Sequence, residues 1–305
     1  MSQAHYASPV DVEKYGEYKI IRKEGDTRPL YRFSERISNE PGAALKPEAG
    51  RYHLYAGWFC PWSQRVTLEI ALKGLESVIS ISYVDNSRDA RGWAFREPYG
   101  PDPINGFTLL RDAYEATEPG FDGHISVPTL WDKKLGRVVS NDFKSIGIDV
   151  ATQFEEFANG VQTYPITVAD QIEELDALIG PSINQGVGRA AKGDADAIEQ
   201  FNKTLDQLDR RLSTQTYLLG DTLTEADIRL WVTLVRFDVH ENATHRINSG
   251  LESYPHLWAY AKRLYALPEF KRTTDFHAFA SPGVDLSRWR DDSDTQLISS
   301  HAKEN

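Results

Sequence analysis

Trp58-Phe59-Cys60-Pro61-Trp62-Ser63-Gln64-Arg65 decides the reading of this chain, because it holds the only cysteine among 305 residues. Just upstream, Arg51-Tyr52-His53-Leu54-Tyr55 reads as a strand. Downstream, Val66, Leu68, Ile70, Ala71, Leu72 and Leu75 carry helical spacing that Pro61 opens. Cys60 is therefore expected at or beside a helix N-cap, where free N–H groups and the helix dipole favour a thiolate. Arg65, one turn into the helix, adds positive charge if it faces the sulfur. The plainer alternative is an inert cysteine packed as a small hydrophobe. A strand-to-helix turn followed by proline is not an ordinary core position, however. Ser63 stands where a second cysteine would complete a Cys-x-x-Cys pair, so no intramolecular disulfide can form and any second thiol must come from outside.

Working outward, Gly74 is a plausible stop for the helix over about 61–73, and Ser77 to Val84 is rich in β-branched residues and reads as a strand. Residues 86–124 read as a long irregular insertion rich in Gly and Pro, a kind of loop that usually carries function. Val127-Pro128-Thr129-Leu130-Trp131 and Arg137-Val138-Val139-Ser140 flank Lys133-Lys134-Leu135-Gly136 as a hairpin, and a helix follows from Phe143 to about Phe157. From about 165 the pattern is helical throughout. Thr224-Glu225-Ala226-Asp227 opens its strongest segment with a capping-box variant, and a last helix is expected from about Pro255 to Leu267. This order implies a mixed-sheet α/β domain followed by an all-helical one. The expected organisation is an extension over 1–48, a sheet domain over 49–157, a helical domain over 158–280 and a polar tail over 281–305.

Composition narrows the function classes. The hydrophobic fraction of 40% supports a sizeable core. A net charge of −11 without a basic stripe argues against a nucleic-acid partner. No apolar run is long enough for a transmembrane helix, and Met1-Ser2-Gln3-Ala4-His5 does not begin a secretory signal. One cysteine fits a reducing compartment, so a cytoplasmic location is expected.

The remaining candidates each have a plain reading. Pro128 is either an edge residue at a strand start or a cis-proline that turns the Val127 backbone toward a peptide-like ligand. Asp142 is an ordinary N-cap, or a carboxylate that also meets a ligand ammonium group. Trp93 is satellite core or an aromatic stacked on a ligand. His240 and His245 are solvated loop residues or line a cleft. The eight histidines show no metal-ligand spacing and a lone cysteine makes no thiolate metal site, so no metal is expected. Gly186-Val187-Gly188 follows no strand and is no nucleotide fingerprint.

Together these residues resemble the glutathione transferase superfamily, and within it the xi class of glutathionyl-hydroquinone reductases. The matching motifs are Gly50-Arg51-Tyr52-His53-Leu54-Tyr55, Cys60-Pro61-Trp62 with Arg65, Leu72-Lys73-Gly74-Leu75-Glu76, and Gly92-Trp93 with Phe95. Val127-Pro128-Thr129-Leu130-Trp131-Asp132-Lys133-Lys134 and Leu223-Thr224-Glu225-Ala226-Asp227-Ile228-Arg229-Leu230 complete the set, so the resemblance spans about 30–270. It implies a thioredoxin-like N-terminal domain, an all-α C-terminal domain, a homodimer, and glutathione as co-substrate. It implies that Cys60 attacks the sulfur of a glutathionyl-hydroquinone and is released from the mixed disulfide by a second glutathione. Trp93, the Val127 backbone and Asp142 would hold glutathione, with Phe59, Pro61 and Pro128 beside them.

Departures from the family pattern are equally specific. Asp142-Phe143 stands where the family has Glu-Ser, which removes the hydroxyl that binds the γ-glutamyl carboxylate. His124 replaces a basic residue before Val-Pro. Tyrosines that donate to the substrate's phenolic oxygen are replaced at Gly188 and Glu241, and a Tyr-Tyr pair has no counterpart around His277–Phe279. Two alternatives follow: a different thiol, such as mycothiol, or a non-catalytic ligand-binding protein on the same fold.

Overall fold

A computed structural model describes residues 4–20, 25, 27–29 and 31–289. The expected C-terminal tail therefore lies, from residue 290 on, outside the described residues. The chain forms two compact units. One runs through Ala169 and takes back Thr273–Ala278; the other spans Asp170–Arg272 and resumes at Phe279.

The first unit is built on a four-stranded sheet in the order β2-β1-β3-β4. β1 (Tyr52–Ala56) pairs parallel with β2 (Ser80–Tyr83) and antiparallel with β3 (Thr129–Asp132), which pairs antiparallel with β4 (Arg137–Ser140). A short helix, α1 (Val12–Tyr15), precedes the sheet, and α2 (Pro61–Leu72) makes the crossover from β1 to β2. Every residue of β1 is buried, because this central strand is covered on both faces. Leu54 packs with Val66, Ile70, Leu130, Ile146 and Val150, whereas its neighbour Tyr55 packs with Phe95, Leu110, Tyr114 and Trp131. His53, fully buried, is held by the Ser80 and Ser82 hydroxyls at 2.8 Å each, and burial pushes its pKa down to about 3.

Two sequence expectations need correction. The segment 86–124 is not irregular throughout, because it contains α3 (Leu110–Thr117). Leu110, Ala113 and Tyr114 bury one face of this helix, and Asp112 caps it by accepting the Leu109 N–H at 3.1 Å. The second strand begins at Ser80 rather than Ser77. Val78 and Ile79 both donate to the Leu75 carbonyl at 2.9 Å, and that turn occupies the start of the β-branched run.

Among the described residues, the N-terminal extension forms no core of its own. It contributes Ile37 and Leu45 to the core of the first unit and is tied down by Asp149, which accepts the Ile37 N–H at 2.8 Å and pairs with Arg36 at 2.6 Å. The hairpin is followed by α4 (Phe143–Gln153).

The second unit contains α5 (Ala169–Ile179, begun in the last residue of the first unit), α6 (Gly186–Ala190), α7 (Ala195–Leu212), α8 (Glu225–Phe237), α9 (Pro255–Tyr265) and α10 (Pro268–Arg272). All of α8 is buried. The capping box at its start is present: the Asp227 carboxylate accepts from the Thr224 N–H at 2.8 Å, from the Leu218 N–H at 2.9 Å and from the Tyr260 hydroxyl at 2.8 Å. Among the described residues no helix is long and apolar enough to cross a membrane.

Candidate active site

Cys60 is the N-cap residue of α2, with Pro61 at the first helical position, as the sequence predicts. Its sulfur accepts the Ser63 N–H at 3.4 Å, so one of the helix's orphan donors points at the thiol. As a thiol it donates to the Val127 carbonyl at 3.5 Å. Cys60 is 6% exposed, so only a group seated directly against it could meet the sulfur. Ser63 itself closes the turn, its hydroxyl accepting the Gly57 N–H at 3.2 Å. Gly57 has no room for a side chain: a Cβ would lie 2.6 Å from the Phe59 ring, which folds back over it. The residue at the would-be second cysteine position thus shapes the loop that presents the first.

The Val127–Pro128 bond is cis, so Pro128 is not a plain trans edge residue. Tyr114 supports this loop from below, its hydroxyl donating to the Ser126 carbonyl at 3.2 Å and bonding to the Thr129 hydroxyl at 2.7 Å.

Two aromatic stacks flank the cysteine turn. On one side Phe59 stacks on Trp93, with ring centroids 4.4 Å apart. The Arg88 guanidinium also lies over Trp93 at 4.3 Å. Trp93 thus has two partners at stacking distance. On the other side Trp62 stacks on Phe143 at 4.6 Å, and the Arg65 guanidinium lies over both rings at 4.9 and 5.5 Å. Arg65 therefore rests on this aromatic pair. Phe143, which lacks the expected hydroxyl, packs against Trp62 of the cysteine turn.

Asp142, next to Phe143, is the N-cap of α4. One carboxylate oxygen accepts the Lys144 N–H at 3.2 Å and the other the Ser145 hydroxyl at 2.5 Å. A carboxylate has about four acceptor sites, and capping uses half of them.

The sequence reading missed the part played by the N-terminal extension. Arg91 ties it to the loop before Trp93 through the Ser8 hydroxyl at 2.7 Å and the Pro9 carbonyl at 2.8 Å, and Ala90 N–H donates to the Gly16 carbonyl at 2.8 Å. Tyr18 follows, its hydroxyl 3.2 Å from His124 Nδ1 and its ring 4.1 Å from the Arg88 guanidinium. Tyr31 lies edge-on to His124 at 5.6 Å. Its phenol is pushed up by burial and, next, by the Cys60 charge. Burial and the Arg88 charge both lower the pKa of His124. No spacing rule links residues 18, 31, 88 and 124, so local pattern held no signal for this corner.

At the positions where the resemblance implies tyrosines, Gly188 lies in α6 with nothing within 4 Å of where a Cβ would be. The Glu241 carboxyl is raised by burial, the nearby His240 and Arg236 opposing that shift. His240 and His245 are exposed, in line with the solvated-loop reading.

Comparison with known proteins agrees with the two-part fold. Residues 59–152 match the glutathione S-transferase N-terminal domain, and residues 168–263 match the glutathione S-transferase C-terminal domain. The chain is 38% identical over 240 residues to glutathionyl-hydroquinone reductase PcpF of Sphingobium chlorophenolicum, covering 74% of this chain and 76% of that protein. Among solved structures it resembles a xi-class glutathione transferase from Natrialba magadii with a TM-score of 0.79 and 31% identity, over 87% of this chain and 91% of the other. The glutathione-bound structure of YqjG, a glutathione transferase homologue from Escherichia coli K-12, aligns with a TM-score of 0.75 and 31% identity, over 81% and 85% of the two chains.

Proposed function

The chain belongs to the xi class of the glutathione S-transferase family, and on that premise we propose that it is a thiol-dependent reductase with Cys60 as its nucleophile. The Cys60 thiolate attacks the glutathionyl sulfur of an aromatic conjugate such as a glutathionyl-hydroquinone. An S–S bond forms, the carbon–sulfur bond breaks, and its electron pair goes to the ring carbon, which takes up a proton. The product is the free hydroquinone, with glutathione held on Cys60 as a mixed disulfide. A second glutathione thiolate attacks that disulfide, releasing glutathione disulfide and restoring Cys60.

The observation that carries this reading is the Cys60 sulfur at the α2 N-cap, receiving the Ser63 N–H at 3.4 Å beside the Val127 carbonyl. A lone thiol placed to react, with no partner cysteine in the chain, fits a cycle completed by an external thiol. In this reading the Val127 backbone meets the cysteinyl part of glutathione, Asp142 receives the γ-glutamyl ammonium, and Trp93 helps to hold it, with Phe59, Pro61 and Pro128 shaping the turn. The thiol-binding half is assigned to 49–157 and the helical half to 158–280, in a cytoplasmic homodimer. Incubation with glutathione disulfide followed by intact-mass measurement tests the reading: one glutathionyl group should add to the wild type and none to Cys60→Ser. An unmodified wild type would remove glutathione from the mechanism.

A further inference from the structure

Arg88 sits in a loop whose other arginines are committed to carboxylates. Arg91 pairs with Asp89 at 2.7 Å, and Arg96 pairs with Asp85 at 2.7 Å. Asp89 additionally accepts the Asp11 N–H at 3.1 Å. Arg88 differs from both. Its guanidinium lies 4.1 Å from the Tyr18 ring and 4.3 Å from the Trp93 ring, and among the described residues no carboxylate pairs with it and no acceptor takes its N–H groups. Rings over the planar group leave its edge, with five donors in a fixed fork, for an acceptor. The group is half-buried in a chain of net charge −11, where carboxylates to pair with are plentiful. His124 beside it, its basicity lowered by burial and by Arg88, does not supply the positive charge of this corner.

We propose that Arg88 binds a carboxylate of the thiol co-substrate, the glycyl carboxylate when that thiol is glutathione. The inference rests on the glutathione-dependent reading above. Arg88 reaches the cysteine turn through Trp93 and Phe59, whereas Asp142 reaches it through Phe143 and Trp62. A peptide thiol with an ammonium group at one end and a carboxylate at the other matches this pair of opposite charges, each joined to the cysteine turn through one aromatic stack. The planar fork of a guanidinium suits a carboxylate in bidentate fashion. The positive charge that the family pattern places at position 124 is thus supplied by residue 88, pre-positioned by a tyrosine from the N-terminal extension. A sugar-linked thiol without a carboxylate would leave Arg88 unused.

The test compares two disulfides as glutathionyl donors to Cys60: glutathione disulfide and its diester, in which both glycyl carboxylates carry ethyl groups. The rate of adduct formation is read by intact mass for the wild type, Arg88→Gln and Arg88→Lys. Arg88→Gln should slow labelling by glutathione disulfide about tenfold or more, as expected for a lost charge-assisted pair. The diester should label wild type and Arg88→Gln at similar, slow rates, and Arg88→Lys should recover part of the loss. Equal slowing with both reagents would mean that Arg88 only props the Tyr18–Trp93 stack, and no slowing would mean that it binds nothing; either result overturns the proposal. A wild type that accepts neither reagent overturns the glutathione-dependent reading, and this proposal with it.

Discussion

Asp142→Asn separates two roles that one carboxylate combines. As N-cap, Asp142 accepts the Lys144 N–H at 3.2 Å and the Ser145 hydroxyl at 2.5 Å. Asparagine caps helices about as well as aspartate, so its carbonyl oxygen keeps the backbone bond and the Ser145 hydroxyl turns to accept from the new amide. The expected change in stability is below about 0.5 kcal/mol. Charge is what the substitution removes. A hydrogen bond between a carboxylate and a ligand ammonium group contributes about 1.5–3 kcal/mol, which is roughly a 10- to 100-fold rise in Kd or KM for glutathione. Asp142→Ala loses the cap as well, about 1 kcal/mol, or roughly 2–4 °C in Tm for a domain of this size. Glutathione titrations followed by thermal shift give both quantities in one experiment. If Asp142→Asn binds glutathione as tightly as wild type while Asp142→Ala only melts lower, Asp142 is a cap and nothing more, and the assigned contact to the γ-glutamyl ammonium is wrong.

Three further outcomes are expected. Phe143→Ala removes a stack on Trp62 and a cation–π contact with Arg65, so urea unfolding should show a loss of about 1–3 kcal/mol; an unchanged midpoint would mean the stack contributes nothing. His53 stays neutral in the folded protein, its pKa lowered to about 3, whereas the unfolded chain titrates near its ordinary value. Stability from this residue is therefore fully present above about pH 6.5 and lost as pH falls toward 3, by up to about 1.4 kcal/mol per pH unit. His53→Gln should flatten the fall in Tm between pH 7 and 5, and an identical slope in the variant would contradict the linkage. Asp227→Ala leaves the Leu218 and Thr224 N–H groups and the Tyr260 hydroxyl without their acceptor; a loss of about 3 kcal/mol or more in urea unfolding is expected, and a loss under about 1 kcal/mol would mean those donors find other partners.

What the sequence revealed follows the range of the interactions involved. The Cys60-Pro61 cap and the Thr224–Asp227 box are set by residues within one turn, and both stand in the structure as read. The helix inside 86–124 was illegible for the converse reason. Only Leu110, Ala113 and Tyr114 bury its face, Gly and Pro lie on either side, and its cap uses Asp112 at the third helical position behind a leucine instead of a serine or threonine. At Phe143 the sequence showed the hydroxyl that was missing, but what the ring does instead depends on Trp62, some eighty residues earlier. The Tyr18–Arg88–Trp93 cluster likewise joins segments that no period connects.

These long-range contacts bear on the cycle in an uneven way. With a single cysteine, the proposed reaction presents a glutathionyl sulfur to Cys60 twice, first on the conjugate and then in the mixed disulfide. Groups that grip the thiol, Asp142 and Arg88 in this reading, therefore serve both steps, whereas groups that grip the aromatic serve only the first. The tyrosines that the resemblance places at Gly188 and Glu241 would act only in that first step. The Cys60 turn, its Ser63 N–H and the Val127 carbonyl are common to both and are all in place. A chain that keeps the shared machinery while its aromatic contacts change can pass to a new conjugate without rebuilding the thiol chemistry, so in the proposed cycle the identity of the leaving group is the least constrained part and the role of Cys60 the most.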